Sequence, residues 1–277
     1  MLVAALGCAL VLALTGWSPL AGTGSSAPER TRPEAEAETR VPRPPTASFA
    51  LLQMNLCLSG IADCYPTAAY PAVVREAVAR IRELRPDAVT LSEACRRDVV
   101  RMARHTGYHL RFATVIYDGE LLRCVQPGGR GLFGDAVLTQ ARVVASEHRP
   151  FAAEGDLEQR RWLCVTTRLD QDVCTAHLST RGTDAWAAAN EAQCAELAAL
   201  LARRAAERPV AFGGDVNRRR SCAPDGVWTR TDRAGAQAPG VQHVYGSRAA
   251  LRSATARVLT TEFSDHDMLL VQTRPVR

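Results

Sequence analysis

From about residue 49 onward the chain alternates short apolar runs with amphipathic stretches, the pattern of strands interleaved with helices. Leu51-Leu52-Gln53-Met54-Asn55 reads as a strand that finishes on Asn55. Between Thr67 and Leu84 the apolar residues Val73, Val74, Ala77, Val78, Ile81 and Leu84 recur at helical spacing, with Pro71 acceptable in a first turn and Pro86 closing the segment, so a helix is expected there. Asp87 to Leu91 then reads as a short buried strand, and this strand, helix, strand unit would bring Asn55 and Glu93 out at one sheet edge. His109 to Tyr117, Phe133 to Thr139 and Arg142 to Ser146 follow as short β-type runs. Trp162 to Leu169 and Val173 to Leu178, separated by Asp170-Gln171-Asp172, predict an antiparallel hairpin. Thr183 or Asp184 can cap a second helix with Trp186, Ala189, Leu197, Leu200 and Leu201 on its buried stripe. Pro209 to Phe212, Val241 to Tyr245 and Met268 to Gln272 complete the strands. The pattern implies an α/β or α+β domain with two packed mixed sheets covered by helices on the outside.

The first 46 residues break that pattern. Leu2 to Leu14 is apolar but short for a membrane span, and small residues follow it around Pro19-Leu20-Ala21, so residues 1–21 read as a signal peptide or N-terminal membrane segment. Residues 22–46 are rich in Pro, Glu, Arg, Ser and Thr with almost no large apolar side chain, the composition of a disordered linker. Residues 47–277 remain as one domain, long enough to bury a sizeable core. An exported protein, secreted or anchored by its apolar leader, is expected.

Cysteine usage agrees with export. Setting aside Cys8 leaves eight cysteines, an even number, and no Cys-x-x-Cys pair of the kind that holds zinc. Sequence neighbours are expected to pair: Cys57 with Cys64, Cys164 with Cys174, Cys95 with Cys124 and Cys194 with Cys222. The formal charge of +5 comes from arginine alone, since the chain contains no lysine. That skew is what a GC-rich genome produces, yet arginine is also the better bidentate partner for phosphate.

The polar residues that end the apolar runs carry the chemistry. Asn55, Glu93 and His177 each finish a strand, Gly213-Gly214-Asp215-Val216-Asn217 follows another, and Ser264-Asp265-His266 precedes the last. Singly, such residues are ordinary turn formers. Together, in the order Asn55, Glu93, His177, Asp215-x-Asn217, Asp265-His266, they resemble the endonuclease/exonuclease/phosphatase superfamily, over about Phe49 to Val271. That superfamily includes pancreatic-type deoxyribonuclease, abasic-site endonucleases, neutral sphingomyelinases and inositol-phosphate phosphatases.

The resemblance implies a four-layer α/β sandwich of two packed mixed β-sheets flanked by helices, with the site at one open end. It also implies a Mg²⁺-dependent phosphodiesterase, Mn²⁺ being an alternative ion, with Glu93 as the direct ligand. Asn55 would be an amide-oxygen or outer-shell contact, and Asp265 a carboxylate close to the ion or to His266. Asp215 would orient and deprotonate the attacking water. Asn217, facing the same side by strand alternation, would give its amide hydrogens to phosphate or water, and His177 and His266 would stabilise charge on the phosphoryl oxygens.

Two positions depart from the family pattern. Gln242 stands where many relatives carry an Asp that orients the motif histidine; its carbonyl could accept from the His266 ring without favouring imidazolium, so His266 is expected to work as a neutral donor. Asp135 stands where Asn is frequent, and near phosphate it would repel the substrate or bind a second cation. The loops Gly119 to Arg130 and Arg218 to Gly240 match no recognition element, and the run Arg218-Arg219-Arg220 reads by default as a solvated loop. A nucleic acid is the favoured substrate, acted on by a monomer, with membrane contact only through an uncleaved leader. A lipid phosphodiesterase of sphingomyelinase type and a non-catalytic binding domain on the same fold are the alternatives; aromatic residues total only 5%, and no long apolar hairpin stands out for a bilayer.

Overall fold

The computed structural model describes residues 48–61, 69–155 and 157–275. The expected leader (1–21) and linker (22–46), Cys64 and the expected first turn of the helix from Thr67 lie outside the described residues.

The N-terminal half opens with β1 (Phe49–Asn55), α1 (Ala72–Leu84) and β2 (Ala88–Cys95). β1 and β2 are parallel, with Leu51 opposite Ala88 and Asn55 opposite Ser92. A parallel pair needs a crossover, and α1 supplies it. A second helix, α2 (Arg96–Thr106), follows at once. Apolar spacing does not announce it, because only Val99 and Met102 among its buried residues are large and apolar, too few for a legible stripe. β3 (His109–Thr114), β4 (Ile116–Tyr117), β5 (Glu120–Leu121), β6 (Phe133–Thr139), β7 (Val143–Pro150), β8 (Glu158–Gln159) and the hairpin β9 (Arg161–Thr167) and β10 (Asp172–Ala176) come next. A 24-residue α3 (Asp184–Glu207) then leads to β11 (Val210–Asp215), parallel to β10. β12 (Val227–Thr231), β13 (Gln242–Ser247), β14 (Leu251–Leu259) and β15 (Met268–Pro275) close the chain; β12 and β14 also escaped the sequence reading, lying in Arg-, Ser- and Thr-rich stretches.

These strands form two six-stranded sheets, ordered β14-β15-β1-β2-β6-β3 and β12-β13-β11-β10-β9-β7, and a small sheet β5-β4-β8. Each large sheet thus has one parallel βαβ unit at its centre, β1-α1-β2 in the first and β10-α3-β11 in the second. Three apolar layers hold the stack together. Leu52, Met54, Val89 and Leu91 pack under α1 and α2 with Val74, Ile81 and Met102; Cys174, Ala176 and Phe212 pack under α3 with Leu197 and Leu201; Leu51, Val137, Val165, Val173 and Leu269 fill the space between the sheets. The expected four-layer sandwich is the observed architecture.

Gly213 marks the closest approach of the sheets: a Cβ there would stand 2.2 Å from Thr90 Oγ1 and 2.7 Å from a Leu51 methyl. Disulfides join Cys95 to Cys124, Cys164 to Cys174 and Cys194 to Cys222, as expected from neighbour pairing. Cys57 is disulfide-bonded as well. Among the described residues no helix is long and apolar enough to cross a membrane.

Candidate active site

In a parallel strand pair both C-terminal ends emerge at the same edge, and the two central pairs of this sandwich present their C-terminal ends to one another. β1 delivers Asn55, β2 Glu93, β10 the adjoining His177, and β11 Asp215. Asn55 bridges the sheets: its Nδ2 donates to Glu93 Oε1 and to Asp215 Oδ2, both at 3.0 Å. Its Oδ1 accepts from the Cys57 N–H at 3.0 Å, so the side chain is fixed at both ends as a spacer between the two carboxylates.

Glu93 reaches the cleft because its backbone is unusual. The β2–β6 register shifts between Leu91 and Ala94, and Glu93 has φ +54°. A bulge with one residue in the left-handed region turns a side chain out of strand alternation, a device common beside active sites. Asn217, at φ +50°, makes a similar turn after β11 has ended at Asp215. Strand alternation therefore does not place it, contrary to expectation, and its amide is not free for phosphate: Nδ2 lies 2.9 Å from His177 Nε2 and 2.8 Å from the Leu178 carbonyl. Its backbone N–H donates to Asp215 Oδ1 at 3.0 Å.

The two histidines are held in opposite protonation states. Burial, with the Arg160 charge, lowers the His177 pKa to about 3. Because the Asn217 amide donates to Nε2, the neutral ring carries its proton on Nδ1, 3.9 Å from Glu93 Oε1. For His266 burial also acts downward, but hydrogen bonds and charge from Asp215 and Asp265 outweigh it and push the pKa up to about 11. Its Nε2 is 3.2 Å from Asp215 Oδ2 and its Nδ1 is 2.8 Å from Asp265 Oδ1. Burial alone would raise Asp215; the hydrogen bond and charge of His266, with the Asn55 amide, outweigh it and hold this carboxyl well below the usual range.

This overturns the expectation for Gln242 and the neutral His266. Gln242 lies opposite Asp215 across β11 and β13, and its side chain turns into the space between the sheets. There it donates to the Asp267 carbonyl and accepts from Gln53 Nε2 at 3.3 Å, while Gln53 Oε1 accepts from Thr90 Oγ1 at 2.6 Å. Gln242 is an inter-sheet bridge, and both ring nitrogens of His266 are already engaged by carboxylates. Of the two places expected for Asp265, beside an ion or beside His266, the geometry gives the second.

Asp135 on β6 is buried at the edge of this cluster. Burial and the Glu93 carboxylate raise its pKa to about 8 against the opposing charge of Arg160, and its Oδ2 has no hydrogen-bond partner. Burial raises Glu93 as well. Two desolvated carboxyl groups, Glu93 and Asp135, stand together with only the Arg160 and His266 charges opposing their burial, a set of oxygens that suits a hard divalent ion. Among the described residues no three His, Cys, Asp or Glu side chains are grouped so as to hold a metal ion by themselves. Glu93 would hold such an ion, with Asp135 next to it.

The sequence reading missed Arg160. Its side chain is 10% exposed and pairs with Glu158 at 2.8 Å, its Nη1 is buried without a partner, and its charge acts on Glu93, Asp135 and His177. A signal existed: Ala176 lies opposite Trp162 in the hairpin, so the residues just before Trp162 stand level with His177. It also missed Asn190 and Gln193 on α3, which tie the loops after β10 and β11 together. Asn190 Nδ2 donates to the Ser179 and Val216 carbonyls at 2.7 and 2.9 Å, and Gln193 Oε1 accepts from the Ser179 N–H at 2.8 Å. His105, His109 and His148 take no part.

Comparison with known proteins agrees with this fold. The model of the Endonuclease/Exonuclease/phosphatase family matches residues 59–266. The catalytic domain of human Nocturnin, solved with a bound sulfate anion, superposes with a TM-score of 0.64 at 16% identity, covering 84% of this chain and 99% of that one. An endonuclease/exonuclease/phosphatase from Beutenbergia cavernae gives 0.60 at 19% identity, over 84% and 72%. D. rerio TDP2 in complex with a single-strand DNA product gives 0.58 at 13% identity, over 82% and 99%. At such identities the likeness is one of fold. A search of curated proteins gave no match. The family match spans well over half of the sequence, and with the fold it establishes that this chain belongs to the endonuclease/exonuclease/phosphatase family, whose members hydrolyse phosphoester bonds and generally use divalent metal ions.

Proposed function

We propose that the protein is an exported, Mg²⁺-dependent phosphodiester hydrolase, with nucleic acid as its substrate. The observation that carries this reading is the convergence of Asn55, Glu93, His177 and His266 on Asp215, from strand ends of both sheets, within 4.0 Å of one another in a chain of contacts. His266, held by Asp265 at Nδ1, turns its Nε2–H from Asp215 Oδ2 to a phosphoryl oxygen when a phosphate enters, and stabilises the charge that grows there. Asp215, ionised at neutral pH, orients the attacking water and takes its proton. Asn217 fixes the ring of His177, and Asn55 keeps Glu93 and Asp215 apart. A divalent ion at Glu93 would neutralise phosphoryl charge and acidify bound water. Disulfides support an oxidising compartment, and the net charge of +5 supports a polyanionic substrate.

One observation favours a second reading. Tyr117, Leu121 and Leu157, on and beside the small sheet, are all more than two-fifths exposed, an apolar patch that a lipid phosphodiesterase would turn to a bilayer. The test uses purified, disulfide-intact protein with Mg²⁺ or EDTA on plasmid DNA, sphingomyelin and bis(p-nitrophenyl) phosphate, beside an Asp215→Ala control. DNA cleavage lost in EDTA and in the control is expected. Preference for sphingomyelin selects the second reading, and no turnover of any substrate leaves a binding domain.

A further inference from the structure

Arg219 and Arg220 are exposed, as a solvated loop would have them, but Arg218 is not: its side chain is 6% exposed. Its Nη1 lies 2.9 Å from Glu191 Oε2 and 3.3 Å from Asn190 Oδ1 on α3, and its Nε is buried without a hydrogen-bond partner. Arg181, four residues beyond His177, reaches the same two side chains from the other catalytic loop, with Nη1 3.3 Å from Asn190 Oδ1 and 3.8 Å from Glu191 Oε2. The Glu191 carboxyl is held below its ordinary range by Arg218 first, then by Arg181 and Arg220. Two guanidinium groups therefore share one carboxylate, and that carboxylate is 63% exposed.

Each guanidinium offers five N–H donors. One carboxylate and one amide oxygen leave most of them unused, and one donor, on Arg218, is shut away from water as well. A cluster with excess positive charge and excess donors, on the two loops that carry His177 and Asp215, is suited to a bidentate tetrahedral anion.

We propose that Arg181 and Arg218 form a second phosphate subsite at the rim of the cleft, which takes the phosphate next to the one being cleaved, with Glu191 as the carboxylate that this phosphate displaces. The inference rests on the nuclease reading, since a polynucleotide presents a phosphate at every residue and a simple diester presents only one.

The test compares the full chain with Arg181→Gln and Glu191→Gln, both at partly exposed positions. For Arg181→Gln, the ratio of kcat/KM on a short single-stranded oligodeoxynucleotide to that on bis(p-nitrophenyl) phosphate should fall roughly tenfold, mainly through KM, the size of one lost charge-assisted hydrogen bond. Glu191→Gln should shift the ratio the other way by a few-fold. Binding is read separately in EDTA by anisotropy of a fluorescein-labelled oligodeoxynucleotide against salt; Arg181→Gln should reduce the slope of log K on log salt by about 0.7, one phosphate contact on a single strand. An unchanged ratio together with an unchanged slope overturns the subsite, and so does an equal loss on both substrates. DNA cleavage with Arg181-independent binding rejects the subsite alone, whereas Arg181-dependent binding without any cleavage keeps the subsite and rejects the nuclease reading.

Discussion

His266 and His177 are the same residue type at the same end of the same sandwich, yet one is a cation and the other is neutral. The difference is local. His266 has a carboxylate on each ring nitrogen, whereas His177 receives an amide hydrogen and faces the Arg160 charge. Replacing His266 by Gln removes the charge but keeps a donor, and should lower turnover of bis(p-nitrophenyl) phosphate by about 10²- to 10⁴-fold at neutral pH, read as kcat. Stability should carry the same signature. The folded-state pKa of His266 lies above its unfolded value, so its stabilising contribution is complete below about pH 6.5 and is lost as the pH rises toward about 11. Asp215 is depressed, and its contribution is present above the ordinary Asp pKa and lost as the pH falls. In metal-free buffer the urea midpoint of the wild type should therefore exceed that of His266→Gln most at pH 6 to 7, with the gap narrowing by pH 10. A gap independent of pH would refute the charged His266. Asn55, Glu93, His177, Asp215 and Asp265-His266 were all legible as polar strand ends, because strand alternation and apolar runs are local signals. Their hydrogen-bond partners were not legible, and Gln242 was assigned to His266 when it bridges to Gln53 and Asp267.

At the scale of elements, the two central βαβ units do the placing, and they work only if the sheets approach closely. Gly213 allows this. A methyl group there would strike Thr90 Oγ1 at 2.2 Å, and Gly213→Ala should destabilise the protein by about 1 to 3 kcal/mol through overpacking, measured as a lower urea midpoint at unchanged m-value. If Gly213→Ala is neutral, the sheets are not in contact at β11. The Cys194–Cys222 disulfide ties α3 to the loop that follows Asp215 and Asn217 and closes a 28-residue separation. Its removal by paired Ser substitutions should cost about 3.6 kcal/mol of unfolding free energy, the chain-entropy value for a loop of that length. The strong apolar stripes of α1 and α3 were readable from spacing. α2 was not, because its exposed face carries Arg96, Arg97, Arg101 and Arg104 and only a narrow apolar edge turns inward.

For the molecule as a whole, the apolar and polar alternation was enough to indicate a mixed α/β domain and to bring Asn55 and Glu93 to one edge, by short-range rules: a strand buries alternate residues or whole runs, and parallel pairs joined by a helix release their C-terminal ends at one edge. That His177, Asp215 and Asp265-His266 would meet them there was indicated by the resemblance to the endonuclease/exonuclease/phosphatase superfamily. Neighbour pairing of the cysteines was legible for a related reason, since short separations favour closure. The protonation states were decided by tertiary structure alone. They depend on distances between side chains far apart in sequence, such as Asp215 to Asn55 and Asp265-His266 to Asp215, and on the removal of water from the cleft. No local pattern encodes either of these. The same holds for Arg160, Arg181 and Arg218: in the sequence they are three of many arginines, and only the fold shows which are withdrawn from solvent and which carboxylates they share.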